Sequence, residues 1–466
     1  MNSAYRITGW FLTLILLIFL SAEIYSQRQN SHPSDSTFQS IAPSPSSTDA
    51  GAGYNQMLEE RYFQYLKMLA EPRERKGLFG FLGGSQQEFR DFQITELRKY
   101  LEMFPPEARH DHILLMLGDI HRHAGDHSLA LASYLKQLIL FPESGISSET
   151  QSKLFSLISQ QSSLRGHKQR ISDLLNQGIP DDTYQHRYFR YLEFMSPMLS
   201  AETSSWYLNE LYNYLERFPE ASNADQIYLW TADIYQKNEQ YEKAVLTYTK
   251  LQYVTPESEQ LAYSYLQAGR LYRNKLNDYE KAVNSYQMLA REATEDSLAI
   301  HAYLMAGKLY AEELEENEKA LEAYRQVTSR FAYSPKAINA YFAQSQIYLS
   351  RLNQPYKAID HYKSVLENYP KYKQECATAL RNIGDIYRDK IRDYFSAVES
   401  YTQLAEQYPT HTSVPDRLLT AGDLAANELN DNNRALQLYQ RLVENYPDTR
   451  EANRAKRRID QLQTDN

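Results

Sequence analysis

One spacing governs what this chain can fold into. The words YEKAVLTYTKLQYVTPES, starting at Tyr241, and YEKAVNSYQMLAREATEDS, starting at Tyr279, are one sentence written twice, 38 residues apart. Anchored on its alanine, the register runs Ala130, Ala244, Ala282, Ala320, Ala358, Ala397 and Ala435, the last six separated by 38 or 39 residues. An aromatic follows each by four: Tyr134, Tyr248, Tyr286, Tyr324, Tyr362, Tyr401 and Tyr439. Four residues is one helical turn, so alanine and tyrosine share a face. Twelve residues after most of these alanines comes a proline: Pro142, Pro256, Pro370, Pro409 and Pro447. Proline has no N–H and disfavours helical backbone in its predecessor, so each ends a helix and opens a turn.

Upstream of each alanine a second word returns, built around a small residue: Gly118, Ala232, Gly269, Gly307, Ser345, Gly384 and Gly422. Three residues later stand His121, Tyr235, Tyr272, Tyr310, Tyr348, Tyr387 and Ala425. A mid-helix glycine costs about 0.5–1 kcal/mol relative to alanine, so its return needs compensation. Close approach of two helices supplies it. Small residues on a first helix are expected to face the alanines of a second, with tyrosine filling the space between successive pairs.

This pattern resembles the tetratricopeptide repeat, most clearly from about Asp225 to Leu462 and at residues 111–142. The period is 38 rather than about 34, so longer helices or a longer inter-helix turn are expected. The resemblance implies an all-α, right-handed α-solenoid of about ten helix pairs. Residues 54–219 would form degenerate pairs and 220–449 a regular array. Residues 450–466, with REANRAKRRIDQL, would supply a polar-faced closing helix and tail. The A-x-x-x-Y and Tyr-Pro wording also resembles bacterial cell-envelope members of the family, of the barrel-assembly and Tol-Pal-associated types.

Residues 1–26 are written for a different solvent. After Arg6 runs ITGWFLTLILLIFLSA, closed by Glu23. That length lies between a signal-peptide core and a spanning helix, so a cleaved signal and a retained membrane anchor both fit. The charge bias places the N-terminus in the cytoplasm and exports the body. Residues 27–53, rich in Ser and Pro, have too few apolar side chains to offset ordering entropy and read as a disordered linker. Cys376 is the single cysteine, so no intramolecular disulfide forms and no cysteine follows the apolar stretch to take a lipid.

A net charge of −9 argues against nucleic acid, which needs a clustered basic face. No nucleophile elbow or phosphate-binding glycine loop is present, so no enzyme and no cofactor are expected. Five histidines fall between His110 and His127 (with His112, His121 and His123), interleaved with Asp111, Asp119 and Asp126. Residues two apart on a helix point to different sides, so solvated surface rather than metal binding is expected.

Partner binding is the expected role. In this family the wall of the groove is lined by first-helix residues flanking the small position. That rule selects Tyr263, Arg270 and Arg273, then His301 and Lys308, then Phe342, then Arg381 and Arg388. Leu266, Leu304 and Phe342 stand where chaperone-binding members carry a clamp lysine, so that function is not carried over. Cations and aromatics on an acidic protein suit a peptide bearing carboxylates. A second candidate is the insertion 71–87, EPRERKGLFGFLGGSQQ, whose Leu78, Phe79, Phe81 and Leu82 could meet a membrane surface or a partner. Self-association by end-to-end stacking, and a substrate-presenting role beside an enzyme, are the alternative functions.

Overall fold

The computed structural model describes residues 46–70, 85–178, 182–200 and 203–464. Among the described residues there are 21 α-helices and no strand. The chain divides into two compact units, Met1–Gly125 and Asp126–Asn466. That division falls well before 219–220, where the regular wording begins. Regular wording records repeated packing positions, and helices that lack it still pack on those that have it.

In the first unit, α1 (Ser46–Ala70) packs on α2 (Gln86–Met103), and α2 on α3 (His110–Ala124). Tyr100 is fully buried, with its ring 4.7 Å from that of Phe104 and its hydroxyl donating to Glu59. α1 begins inside the stretch expected to be linker, because no proline after Pro45 interrupts it until Pro72. α2 begins with a capping box: Ser85 Oγ accepts the Glu88 N–H at 3.1 Å, and the Glu88 carboxylate accepts the Ser85 N–H at 2.8 Å. Residues 85–87 therefore belong to that helix start and not to an insertion. Leu78, Phe79, Phe81 and Leu82 lie outside the described residues, as does the apolar stretch of residues 1–26. Among the described residues no helix is long and apolar enough to cross a membrane.

The second unit opens with α4 (His127–Leu140), α5 (Ser147–Gln160), the short α6 (Lys168–Asn176), α7 (Tyr184–Met195) and α8 (Ser204–Arg217). Here pairing is irregular, since α4 packs on both α5 and α7. Tyr191 on α7 donates to the Ala132 carbonyl at 3.1 Å, and buried Lys136 on α4 pairs with Glu210 on α8. Tyr188 donates to the same carboxylate at 2.6 Å. One acid thus answers both groups, as a buried charge requires.

Six regular pairs follow: α9 (Ala224–Lys237) with α10 (Tyr241–Val254), α11 (Leu261–Leu271) with α12 (Tyr279–Glu292), and α13 (Asp296–Glu312) with α14 (Asn317–Arg330). Then come α15 (Ala337–Ser350) with α16 (Pro355–Asn368), α17 (Lys373–Ile386) with α18 (Tyr394–Gln407), and α19 (Val414–Asn427) with α20 (Asn432–Asn445). α21 (Arg450–Thr464) closes the array on α20 and α19. Each second helix followed by a proline ends two residues before it, as expected. α12 and α14 stop at the same register with Thr294 and Ala332 there instead, so packing also sets that end.

The recurring residues form the core. Ala244, Ala282, Ala320, Ala358, Ala397 and Ala435 are fully buried, and their tyrosine partners nearly so. The small residues have a different neighbour from the one expected. A Cβ placed on Gly269 would stand 3.1 Å from the Tyr286 ring, and one on Gly307 2.8 Å from the Tyr324 ring. The nearest atoms to each of these glycines belong to the tyrosine ring of its own pair, which glycine leaves room for. Close backbone approach also occurs at Ser345, whose hydroxyl lies 3.2 Å from the Ala358 carbonyl oxygen.

The turn joining the helices of each pair holds a residue in the left-handed region: Glu239, Asn277, Glu315, Asn353, Arg392 and Asn430, with φ between 50° and 61°. The backbone N–H just past that residue reaches back to the carbonyl at the aromatic slot. Asp278 donates to Tyr272 at 2.9 Å, Gln354 to Tyr348 at 2.7 Å and Asp431 to Ala425 at 2.8 Å. Because a carbonyl does this work, Ala425 can hold the slot without a ring. In two pairs the first helix ends in a single π turn, Tyr272–Leu276 and Tyr387–Ile391. The longer period is thus accommodated in part at this junction.

Candidate partner-binding face

The residue just after each small position decides the character of the first-helix face. In chain order it is Asp233, Arg270, Lys308, Gln346, Asp385 and Asp423. Where it is aspartate, the buried tyrosine of the same pair donates to it: Tyr248 to Asp233 at 3.1 Å, Tyr401 to Asp385 at 2.6 Å and Tyr439 to Asp423 at 2.7 Å. Two of these acids also take a cation from the next unit. Arg417 donates to Asp385 at 3.1 Å, and Arg458 lies 3.2 Å from Asp423. Tyrosine, aspartate and arginine thereby staple consecutive pairs.

The three central pairs lack this staple. Tyr286 faces Arg273 and Arg270 instead of an acid, and Tyr362 faces Asn382. A hydroxyl that accepts from a guanidinium or an amide keeps its own proton to donate. Burial raises the phenol pKa of Tyr286, while Arg273 and Arg270 pull it down. His301 packs edge-on to Tyr286 at 6.5 Å between ring centroids. Burial lowers its pKa first, followed by the charges of Arg270, Lys336 and Arg273.

The expected groove cations separate into two groups. Arg270 is exposed, and among the described residues neither it nor Arg273 is paired with a carboxylate; Arg273 donates to the Met305 sulfur at 3.3 Å. Lys308 lies 3.6 Å from Glu312. Arg388 is held by Asp389 at 2.6 Å, and Arg381 donates to Asn382 at 2.9 Å. Tyr263 is exposed beside Arg270, and Phe342 is half-buried, its ring 5.4 Å from that of Tyr362. Leu266 and Leu304 are likewise half-buried on the central core.

Two features escaped the sequence reading. Lys336 precedes α15 outside the selected register, and in the folded chain its charge acts on His301. The other is an apolar stripe on α10, where Leu246, Tyr253 and Val254 are 68%, 83% and 49% exposed. At the first of these positions the other pairs carry Asn284, Glu322, Asp360, Glu399 and Gln437, so aligning the register would have exposed the stripe.

The stretch from His110 to His127, expected to be solvated surface, is buried in part. His110 and His121 are buried, and His110 Nε2 lies 3.0 Å from the Phe104 carbonyl oxygen. His123 Nδ1 lies 2.7 Å from the Asp119 carbonyl oxygen. Among the described residues no three His, Cys, Asp or Glu side chains are grouped to hold a metal ion.

Comparison with protein families agrees with this geometry. Residues 225–258 match the tetratricopeptide repeat model, and residues 255–466 match the model of the soluble NSF attachment protein, SNAP. Residues 225–258 are thus similar to a tetratricopeptide repeat. The helical array also resembles several solved structures. One is the C-terminal part of a TPR repeat-containing protein from Cytophaga hutchinsonii, at 19% identity over 57% of this chain and 98% of that one, with a TM-score of 0.36. YrrB, a TPR protein with an unusual peptide-binding site, matches at 20% identity over 44% and 95%, TM-score 0.30. PilF of Pseudomonas aeruginosa matches at 17% identity over 51% and 98%, TM-score 0.29. A search of curated proteins finds no match to this chain.

Proposed function

We propose that this protein is a non-enzymatic interaction scaffold whose first-helix face holds a segment of another protein. Support comes from one observation above all. The central tetratricopeptide pairs leave Tyr263, Leu266, Leu304 and Phe342 partly uncovered beside cations with no acid partner, while the flanking pairs consume theirs in staples. An apolar floor with polar groups left unanswered is a surface that gains from being covered.

The proposal places the protein exported to, or anchored at, the cell envelope through residues 1–26, with the repeats extracytoplasmic and engaged in envelope or outer-membrane assembly. That part rests on the apolar run after Arg6 and on the envelope-type wording of the repeats.

A photo-crosslinking residue placed at Leu304, and in a separate variant at Glu322 on the second helix, tests the binding face in native membranes. Specific adducts from position 304 and none from 322 are expected. Adducts from 322 alone reject the face.

A further inference from the structure

The chain carries a net charge of −9, yet on its central first-helix face only Lys308 of the cations named has an acid partner among the described residues, Glu312. Arg270 and Lys336 are exposed, and Arg273 is half-buried against Met305. Among the described residues none of the three is in an ion pair, although cations in the neighbouring pairs are: Arg388 with Asp389, and Arg417 with Asp385 and Asp416. The three come from α11, its π turn and the entry to α15, with α13, which carries His301, between them in the order of pairs. Burial first, and then the charges of all three, led by Arg270, lower the pKa of His301, whose ring lies 6.5 Å from that of Tyr286.

Tyr286, which in a stapled pair would give its proton to aspartate, instead faces Arg273. Replacing Asp by Arg270 at this register position thus reverses both charge and hydrogen-bond polarity. The apolar side chains between the cations, Leu266, Leu304 and Phe342, pack on the core but stay partly open. Such a surface is complementary to alternating carboxylates and apolar groups.

We propose that this face recognises an acidic peptide segment, with Arg270, Arg273 and Lys336 receiving Asp or Glu carboxylates and Leu266, Leu304 and Phe342 receiving the apolar side chains between them. This rests on the binding-face reading above and names the chemistry of its occupant. The planar guanidinium of each arginine can meet a carboxylate with two N–H groups, whereas the lysine ammonium acts as a point charge.

The test uses the full chain and a blocked peptide in which Glu alternates with Leu, followed by fluorescence anisotropy. Its Gln analogue and inorganic polyphosphate serve as comparisons. The Glu peptide is expected to bind at least about tenfold tighter than the Gln analogue and to weaken as salt rises. Arg270→Asp combined with Lys336→Glu should abolish that preference without lowering Tm, since the first change restores the aspartate of the stapled pairs. Equal binding of Glu and Gln peptides overturns carboxylate recognition while leaving the binding face intact. Polyphosphate binding more tightly than the Glu peptide overturns it in favour of a phosphate polyanion. Failure of every peptide overturns the acidic-peptide site, whereas crosslinks at Leu304 would still uphold the face.

Discussion

Gly384 lies beneath the ring of Tyr401: a Cβ added to the glycine would come within 3.0 Å of two carbons of that ring. The same relation links Gly422 to Tyr439, and in looser form Gly269 to Tyr286. The tyrosine in turn is held by Asp385. Ring, glycine and acid form one packing unit, so a change at any of them is felt by the others.

Gly384→Ala should therefore destabilise by about 1–3 kcal/mol by overpacking, although alanine is the better helix former. Gly269→Ala, where the nearest ring atom is 3.1 Å away, should cost less. Urea unfolding of both variants, and of Gly384→Ala with Tyr401→Leu, checks this. The double variant should recover part of the loss if the clash is with the ring.

Tyr401→Phe removes a hydrogen bond that the half-buried Asp385 carboxylate accepts and should cost about 1 kcal/mol. Tyr324→Phe should be nearly neutral, because among the described residues its hydroxyl makes no hydrogen bond. Thermal unfolding of the two variants side by side gives the comparison.

Glu315 is exposed with a φ of 55°, in a turn that repeats through the array. A side chain in the left-handed region costs roughly 1–2 kcal/mol, and glycine avoids that cost at some loss of unfolded-state constraint. Glu315→Gly should raise Tm slightly, whereas Glu315→Val should lower it. An opposite order would show that the turn is held by contacts rather than by local backbone preference.

His301, His361 and His411 all have pKa values below the ordinary 6.5, with burial the first cause in each. The folded state favours the neutral rings, so the unfolded chain takes up protons first as pH falls. Their contribution is complete above the ordinary value and is lost as pH drops from there towards the folded values. Tm should decline between about pH 7 and pH 5, where ordinary carboxylates remain ionised. His301→Gln should flatten part of that decline.

Much of the architecture was legible. The spacing of Ala282 and Tyr286, and of Gly269 and Tyr272, reports one-turn geometry that any helix imposes. Pro256 and Pro409 end their helices through chemistry carried by the residue itself. The true neighbour of the glycines was less accessible, since alanine and tyrosine share the facing stripe and only packing shows which one covers Gly269. The left-handed turn was missed because Glu315 and Arg392 carry no glycine signal. Asn277, Asn353 and Asn430 are residues that tolerate this region, but Glu239, Glu315 and Arg392 at the same register position break the pattern.

The candidate face was half legible. Register alone selected Arg270 and Arg388 together, yet the first has no acid partner and the second is held by Asp389. Lys336 lay outside the selected positions altogether.

By itself the sequence determined the period, the helical pairs and the stripe each buries, because hydrophobic spacing and backbone chemistry act over a single turn. The tertiary structure alone decided which charges are spent and which stay available. Arg417 reaches Asp385 and Arg441 reaches Glu406 only when one pair stacks on the next. Ion pairing depends on distances of a few ångström between residues far apart in the chain, and only stacking sets those distances.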